Sequence, residues 1–270
     1  ISLVSAHHNY DKLGRSLLAS HSFSKILGPT KTISFIFTYY EKKDVIKKSI
    51  DSLKNQSFKT LSKDDIEIIV IDDGSQNLLD DFLDDDVIYI RRNKFKYGIS
   101  RSRNLGAKIS SGKILCFVDP DLIFHRNYVD TLFSEYKKFG KNSILTGYIN
   151  SYFYKGSKDP RTAWGVWQKP NRKTKRFVNL AGGHMAIDRN IFFNSGGFDE
   201  DLIYGGVEDV YFGYKLSQNY NLSIVFSTNL FVDHIPHPPG GAHARTDLTL
   251  SVLKIKDPEF FKRYIIDHER

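Results

Sequence analysis

The sequence predicts an α/β fold built on a mainly parallel, Rossmann-like sheet with helices on both faces. Three observations support this prediction. Strand-like and helix-like segments alternate from residue 33 to residue 118. The strand-like runs are strongly apolar, as expected of strands that are covered on both sides. Several of these runs end in acidic or hydroxyl-bearing residues, and parallel strands joined by helices bring such ends to one edge of the sheet.

The elements of the first half follow in a regular order. Four segments have strand character: Ile33–Thr38, Ile66–Ile71, Val87–Arg91 and Ile114–Val118. Two segments have apolar residues at helical spacing, 43–55 and 100–110, with Ser100 as the expected N-cap of the second.

The second half is less regular and predicts a smaller mixed sheet. Helices are expected at 128–139 and near 208–217, and strands at 143–149, 222–227 and 229–233. We predict a domain at 32–240, divided at residue 121 into two halves. The domain is flanked by an extension (1–31) and a partly helical tail (241–270).

Composition excludes several classes of protein. The chain has 270 residues, 40% of them hydrophobic, and no run of 18 apolar residues, so we expect a folded domain without a membrane span. A single cysteine, Cys116, excludes an internal disulfide framework and a multi-cysteine zinc site, and it is expected to be a buried core residue. No signal peptide is visible, so we expect a cytoplasmic protein.

The net charge of +8 is concentrated in two segments and favours an anionic ligand. Residues 169–176 hold five cations, and residues 160–187 contain no Asp or Glu; the second cluster is 91–96. Neither segment follows a nucleic-acid-binding pattern, so no nucleic acid partner is expected. An anionic acceptor, peripheral contact with a membrane surface, or a merely solvated loop would each explain the charge.

The most informative stretch is Phe117-Val-Asp119-Pro-Asp121, a buried strand that ends in two carboxylates one residue apart. Hard cations such as Mg²⁺ and Mn²⁺ prefer carboxylate oxygens and can bridge to the phosphates of a substrate. The alternative is an ordinary turn, because Asp and Pro are common turn residues. Three further segments are expected at the same edge: Thr38-Tyr39-Tyr40-Glu41, Asp72-Asp73-Gly74-Ser75 and Arg101-Ser-Arg103-Asn104-Leu-Gly106.

Taken together, these motifs resemble the nucleotide-sugar half of family 2 glycosyltransferases, which have the GT-A fold. Three downstream segments are similar to the acceptor half of β-1,4-galactosyltransferases and bacterial chondroitin polymerases: Ala181-Gly182-Gly183-His184, Gly196-Gly197-Phe198-Asp199-Glu200 and Gly205-Gly206-Val207-Glu208-Asp209. The resemblance covers roughly residues 32–240 and implies a metal-dependent inverting glycosyltransferase. It would move a hexose or N-acetylhexosamine from a UDP-sugar to a hydroxyl of a glycan, glycolipid or peptide.

The resemblance also implies a role for individual residues. The nucleotide-sugar residues would be Thr38, Tyr40, Asp73, Arg103, Asp119 and Gly183. Asp121, Asp119 and His234, with His237 as the alternative, would hold Mn²⁺ or Mg²⁺. Asp209 would be the general base, kept ionised by the positive end of its helix, and Glu208 would help to hold the acceptor. The remaining acceptor residues would be Trp164, Trp167, Tyr204 and Gly206.

Two departures from the family pattern affect the turn after the first strand and the choice of the metal-binding histidine. The family often has Asn where Glu41 stands, and more residues than expected separate His234 from Pro238-Pro-Gly. Related enzymes with a Gly-Gly-Glu motif retain the anomeric configuration, so a retaining transferase is one alternative. A non-catalytic module that binds an anionic polymer through a vestigial nucleotide pocket is the other.

Overall fold

The computed structural model describes residues 30–79, 83–91, 98–151, 172–174, 177, 180–236 and 242–268. Its strands are β1 (Lys31–Tyr39), β2 (Ile66–Asp72), β3 (Val87–Arg91), β4 (Gly112–Val118), β5 (Leu122–Phe124), β6 (Ser143–Ser151), β7 (Arg172–Thr174), β8 (His184–Asp188) and β9 (Ser223–His234). Its α-helices are α1 (Lys43–Lys54), α2 (Ile99–Ile109), α3 (Tyr128–Phe139), α4 (Arg189–Asn194), α5 (Glu208–Asn219), α6 (Ala242–Lys256) and α7 (Pro258–His268).

All of these strands belong to one sheet. The order is β3-β2-β1-β4-β8-β6-β9-β5. Strand β7 lies outside this order and pairs antiparallel with β9. The four strands β3, β2, β1 and β4 are parallel, as the sequence predicts. The sheet becomes mixed from β4 onward, because β8 runs antiparallel to both β4 and β6. The predicted mixed part therefore continues the parallel part within a single sheet.

Helices cover both faces of the sheet, which explains the apolar strands. On β1, Phe35 and Phe37 pack in the same core cluster as the apolar faces of α1 and α3, while Ile36 points to the opposite face. The opposite cluster includes Phe212 of α5 and Phe260 of α7. The C-terminal helices are thus part of the main core.

Two local expectations are wrong in detail. Helix α2 begins one residue earlier than predicted, and its N-cap is Gly98, with φ of 95°, rather than Ser100, which lies buried inside the helix. The strands expected at 222–227 and 229–233 form the single strand β9, and the break in pattern corresponds to a register shift opposite Gly147 and Tyr148 of β6.

Glu41 occupies a left-handed backbone conformation, with φ of 57°, in the turn between β1 and α1. Asn tolerates this region better than most residues, and the family resemblance predicts Asn at this position. Here the Glu41 carboxylate stabilises the turn by accepting hydrogen bonds from the Gln76 backbone N–H and, at 2.6 Å, from Asn77 Nδ2. These contacts lower the pKa of Glu41.

We expect Glu41→Gly to be more stable than Glu41→Ala by about 1 kcal/mol, because both lose the carboxylate contacts but only Ala keeps a Cβ at positive φ. Urea unfolding of the two variants and the wild-type protein measures this difference. Equal stability of the two variants would show that the turn relaxes out of the left-handed conformation.

Candidate active site

A cavity of about 440 Å³ opens at the edge of the sheet where the parallel strands β1, β2 and β4 end. This is the edge that the sequence predicts. All the predicted site residues that the structure describes line the cavity: Thr38, Tyr40, Asp73, Arg103, Asp119, Asp121, Gly183, Tyr204, Gly206, Glu208, Asp209 and His234. Trp164, Trp167 and His237 lie outside the described residues, as does most of the basic segment 169–176.

The Gly182-Gly183 pair lies between the carboxylates of the two halves. The Gly182 N–H donates to Asp209 Oδ2 at 2.7 Å, and the Asp119 N–H donates to the Gly183 carbonyl at 2.8 Å. A Cβ on Gly182 would lie 2.6 Å from Asp209 Cβ, and one on Gly183 would overlap the Asp119 carboxylate. Because these positions have no room for a side chain, the two glycines let Asp119 and Asp209 share one wall of the cavity.

Arg103 is buried and joins carboxylates from both halves. Its Nη1 donates to Glu208 Oε1 at 2.8 Å, and its Nη2 lies 3.7 Å from Asp119 Oδ1. The resemblance implies that Arg103 binds the nucleotide-sugar, whereas these contacts direct much of its guanidinium to acidic side chains. The charge-assisted hydrogen bond fixes the Glu208 carboxylate, and the longer ion pair attracts Asp119 to the same guanidinium.

Asp119 and Asp121 face the cavity at the end of β4. Desolvation and the neighbouring Asp121 raise the pKa of Asp119 to about 6, although Arg103 and Lys42 oppose the shift. Asp121 is almost fully buried; its Oδ2 is 2.7 Å from Lys42 Nζ, and its Oδ1 is 3.7 Å from His234 Nε2. The pairing of β5 with β9 brings His234 close to Asp121, because Leu122, the residue after Asp121, is in register with His234.

These side chains fit a divalent cation in their chemistry. Carboxylates with an imidazole suit Mn²⁺ or Mg²⁺. The Lys42 ammonium contacts one oxygen of Asp121, so a positive charge already lies next to this carboxylate. Among the described residues, no three His, Cys, Asp or Glu side chains are grouped as a metal cluster. The choice between His234 and His237 stays a prediction.

Asp209 is the second residue of α5 and is partly exposed in the cavity. Burial and the adjacent Glu208 raise its pKa to about 7, against the opposing effects of Arg103 and the N–H groups of Gly182 and Val210. Desolvation therefore acts against the helix terminus, which is expected from the sequence to keep Asp209 ionised. A carboxyl group with a pKa near 7 is well suited to accept a proton at neutral pH.

The loop before α5 is held from two sides. Gly98, at the start of α2, approaches it so closely that a Cβ there would lie 2.6 Å from the Ile203 carbonyl oxygen. On the other side, Thr249 Oγ1 of α6 donates to the Gly205 carbonyl at 2.6 Å. Tyr204 remains 42% exposed at the cavity, and Tyr40, which also lines it, is exposed to the same extent.

Two cationic residues of the cavity are absent from the sequence-based prediction, Lys42 and Arg245. Lys42 directly follows the first motif and could have been noticed there. Arg245 lies in α6, in a segment that shows only helical character in sequence. Nothing in the pattern around residue 245 indicates that this helix reaches the cavity.

Comparison with known proteins places the chain in a family. The sequence model of Glycosyl transferase family 2 matches residues 34–202, more than half of the chain, and the chain belongs to this family. This confirms the resemblance drawn from the motifs. Among the described residues, no helix is both long and apolar enough to cross a membrane.

The chain is similar to the chondroitin synthase of Escherichia coli, with 24% identity over 86% of this chain and 39% of that protein. It therefore spans about two fifths of the length of that relative. The structure of S. aureus TarS 1-349 superimposes with a TM-score of 0.63 and 16% identity, covering 83% of this chain and 65% of that one. The structure of GalNAc-T7 with UDP, GalNAc and Mn²⁺ superimposes with a TM-score of 0.62 and 20% identity, covering 83% of this chain and 48% of that one. The predicted fold class is confirmed.

Proposed function

We propose that this protein is a metal-dependent, inverting glycosyltransferase that moves a hexose or N-acetylhexosamine from a UDP-sugar to an acceptor hydroxyl. The observation that carries the proposal is the convergence of Asp119, Asp121 and Asp209, distant in sequence, on one cavity. Family membership and the named activity of relatives such as chondroitin synthase support it. A fold neighbour that contains UDP, GalNAc and Mn²⁺ supports the choice of donor and metal.

The nucleotide end of the donor would bind beside β1 and β2. Tyr40 offers an exposed ring for stacking, and Thr38 lines the same part of the cavity. Asp73 accepts from the Gly98 N–H and from Ser102 Oγ, both at 3.0 Å. These bonds hold the carboxylate in place at the cavity wall, where it would accept from a base N–H.

Asp121, Asp119 and His234 would hold the divalent cation against the donor diphosphate. A bound cation would supply neutralisation of the negative charge that develops on the leaving nucleotide. Arg103 keeps Asp119 and Glu208 oriented through its contacts with both. Arg245, on the opposite helix, adds a further positive charge to the cavity wall.

Asp209 would remove the proton from the attacking hydroxyl. Its oxygens accept from the N–H groups of Gly182 and Val210, both at 2.7 Å, so its orientation is fixed. The hydroxyl oxygen then bonds to the anomeric carbon as the bond to the UDP oxygen breaks, and the proton ends on Asp209. A single displacement of this kind inverts the anomeric configuration, whereas a retaining enzyme would give the other anomer.

The acceptor is proposed to be a glycan, glycolipid or peptide, and the basic segment 160–187 favours an anionic one. Tyr204 and Gly206 would contact it at the mouth of the cavity. UDP-Gal, UDP-GalNAc, UDP-GlcNAc and UDP-Glc are the donors to screen. Thermal shift with each donor and Mn²⁺ identifies the sugar, since a ligand that binds the native state raises its melting temperature.

The metal requirement is tested by UDP release in the presence of the best donor. We expect EDTA to abolish release and added Mn²⁺ or Mg²⁺ to restore it, because the leaving diphosphate would otherwise face Asp119 and Asp121 without a divalent cation. The stereochemical outcome is tested separately by NMR of the product, which shows whether the anomeric configuration of the donor is inverted. Full turnover in EDTA would rule out the metal, and a product with the configuration of the donor would replace inversion by retention.

The rate should depend on pH through Asp209. Its pKa of about 7 means that it is protonated, and unable to act as a base, at lower pH. We expect kcat/KM to fall roughly tenfold per pH unit below that value and to level off above it. Initial rates from about pH 5.5 to about pH 8.5 measure the profile. A rate that stays constant across this range would argue against Asp209 as the base.

A further inference from the structure

Lys42 forms the closest cation contact in the candidate metal site. Its Nζ lies 2.7 Å from Asp121 Oδ2, and the Asp121 side chain is only 6% exposed. Asp119, one residue before Pro120, adds a second carboxylate to the same wall. A buried carboxylate beside another acid needs a nearby positive charge, and here the chain itself provides one.

The backbone of Lys42 is well fixed. Lys42 is the N-cap of α1, and its carbonyl accepts from the N–H groups of Val45 and Ile46 at 3.2 and 3.0 Å. The preceding Glu41 anchors the turn through Ser75 Oγ, Gln76 and Asn77. The ammonium therefore sits at the end of a flexible four-carbon side chain on a rigid support, and 34% of that side chain is exposed.

We propose that Lys42 is a tethered counter-ion that competes with the divalent cation for Asp121 and moves to the donor diphosphate when the cation binds. This inference rests on the proposed function. An ammonium on Asp121 Oδ2 repels a divalent cation bound to the same carboxylate, so metal binding favours movement of Lys42 away from Asp121. Lys42 lines the same cavity as Asp121, so a diphosphate held there lies within the range of its side chain.

The consequence is coupling between the two ligands. In the nucleotide-free protein, Lys42 weakens metal binding at Asp121. When UDP is present, the displaced ammonium gains a phosphate partner, and the penalty is removed. Metal and UDP should thus strengthen each other's binding by the same factor, and part of this factor should depend on Lys42.

The test measures Mn²⁺ binding directly by electron paramagnetic resonance, with and without UDP, and does not use turnover. Lys42→Met removes the charge but keeps most of the side chain, and Lys42→Arg keeps the charge. Lys48→Met is the matched control, since Lys48 is an exposed lysine on α1 outside the cavity lining. Melting curves establish that each variant is folded.

We expect Lys42→Met to bind Mn²⁺ roughly tenfold more tightly than the wild type without UDP, and to gain less from added UDP. Lys48→Met and Lys42→Arg should bind as the wild type does. Unchanged or weaker Mn²⁺ binding by folded Lys42→Met, with normal binding by the wild type, would overturn this inference alone. If no protein binds Mn²⁺ even with UDP, the metal part of the proposed function fails, and the inference fails with it.

Discussion

Asp209→Asn should lower kcat by roughly 10²–10⁴-fold while the affinity for UDP stays unchanged. The amide cannot accept the proton of the acceptor hydroxyl, whereas the nucleotide residues Thr38, Tyr40 and Asp73 lie on other elements. UDP release measures the rate, and calorimetric titration with UDP and Mn²⁺ measures the affinity. Retention of more than about a tenth of the activity would remove Asp209 from the role of base.

The variant should remain folded, which makes its loss of activity interpretable. Burial raises the pKa of Asp209 from 3.8 to about 7, so its stability cost grows as the pH rises between these values and is fully present above about 7; Asn removes this cost. The amide loses one of the two backbone hydrogen bonds of the carboxylate, which acts in the opposite direction. We expect the melting temperature at alkaline pH to change by only a few degrees. Asp201→Asn, an exposed acid paired with Lys256, is the matched control and should keep full activity.

Gly183→Ala should lower kcat/KM for the donor by about 10²-fold, because the new methyl group would overlap the Asp119 carboxylate. Either Asp119 or the Gly182-Gly183 turn must shift, and both belong to the wall that carries the reacting groups. Donor kinetics and UDP titration measure the effect. We expect Mn²⁺-dependent UDP binding to weaken together with the rate.

Gly196→Ala is the control for this substitution. A Cβ there meets no atom within 4 Å, although φ is 81°, so the change costs stability without altering the cavity. It should lower the melting temperature and leave the kinetics unchanged. If Gly183→Ala behaves in the same way, the close approach to Asp119 is not required for donor binding.

The parallel half of the fold was predictable because its strands are covered on both faces and each ends in a recognisable polar motif. The residues expected at the sheet edge do line one cavity. The tight Gly182-Gly183 turn could be read as an ordinary turn in sequence, since its contacts with Asp119 and Asp209 exist only after the two halves have folded together. Sequence position alone could not show that packing.

The ionisation of Asp209 and the placement of Lys42 were not predictable for a related reason. The pKa of Asp209 depends on desolvation and on Glu208, which outweigh the local helix terminus that sequence reveals. The contact of Lys42 with Asp121 joins residues that are 79 positions apart. Several other lysines follow Lys42 closely in the sequence. Only the fold distinguishes Lys42 from Lys43, Lys47 and Lys48.

Helix α6 bears on where the catalytic unit ends. The family match stops at residue 202, yet Arg245 lines the cavity and Thr249 bonds to the Gly205 carbonyl. Thr246 fills the space beside Gly206, where a Cβ would lie 2.6 Å from its hydroxyl oxygen. Truncation at the end of the shared family segment would remove Glu208, Asp209 and His234 together with the wall formed by α6, so a fragment that keeps the whole cavity must extend through α6.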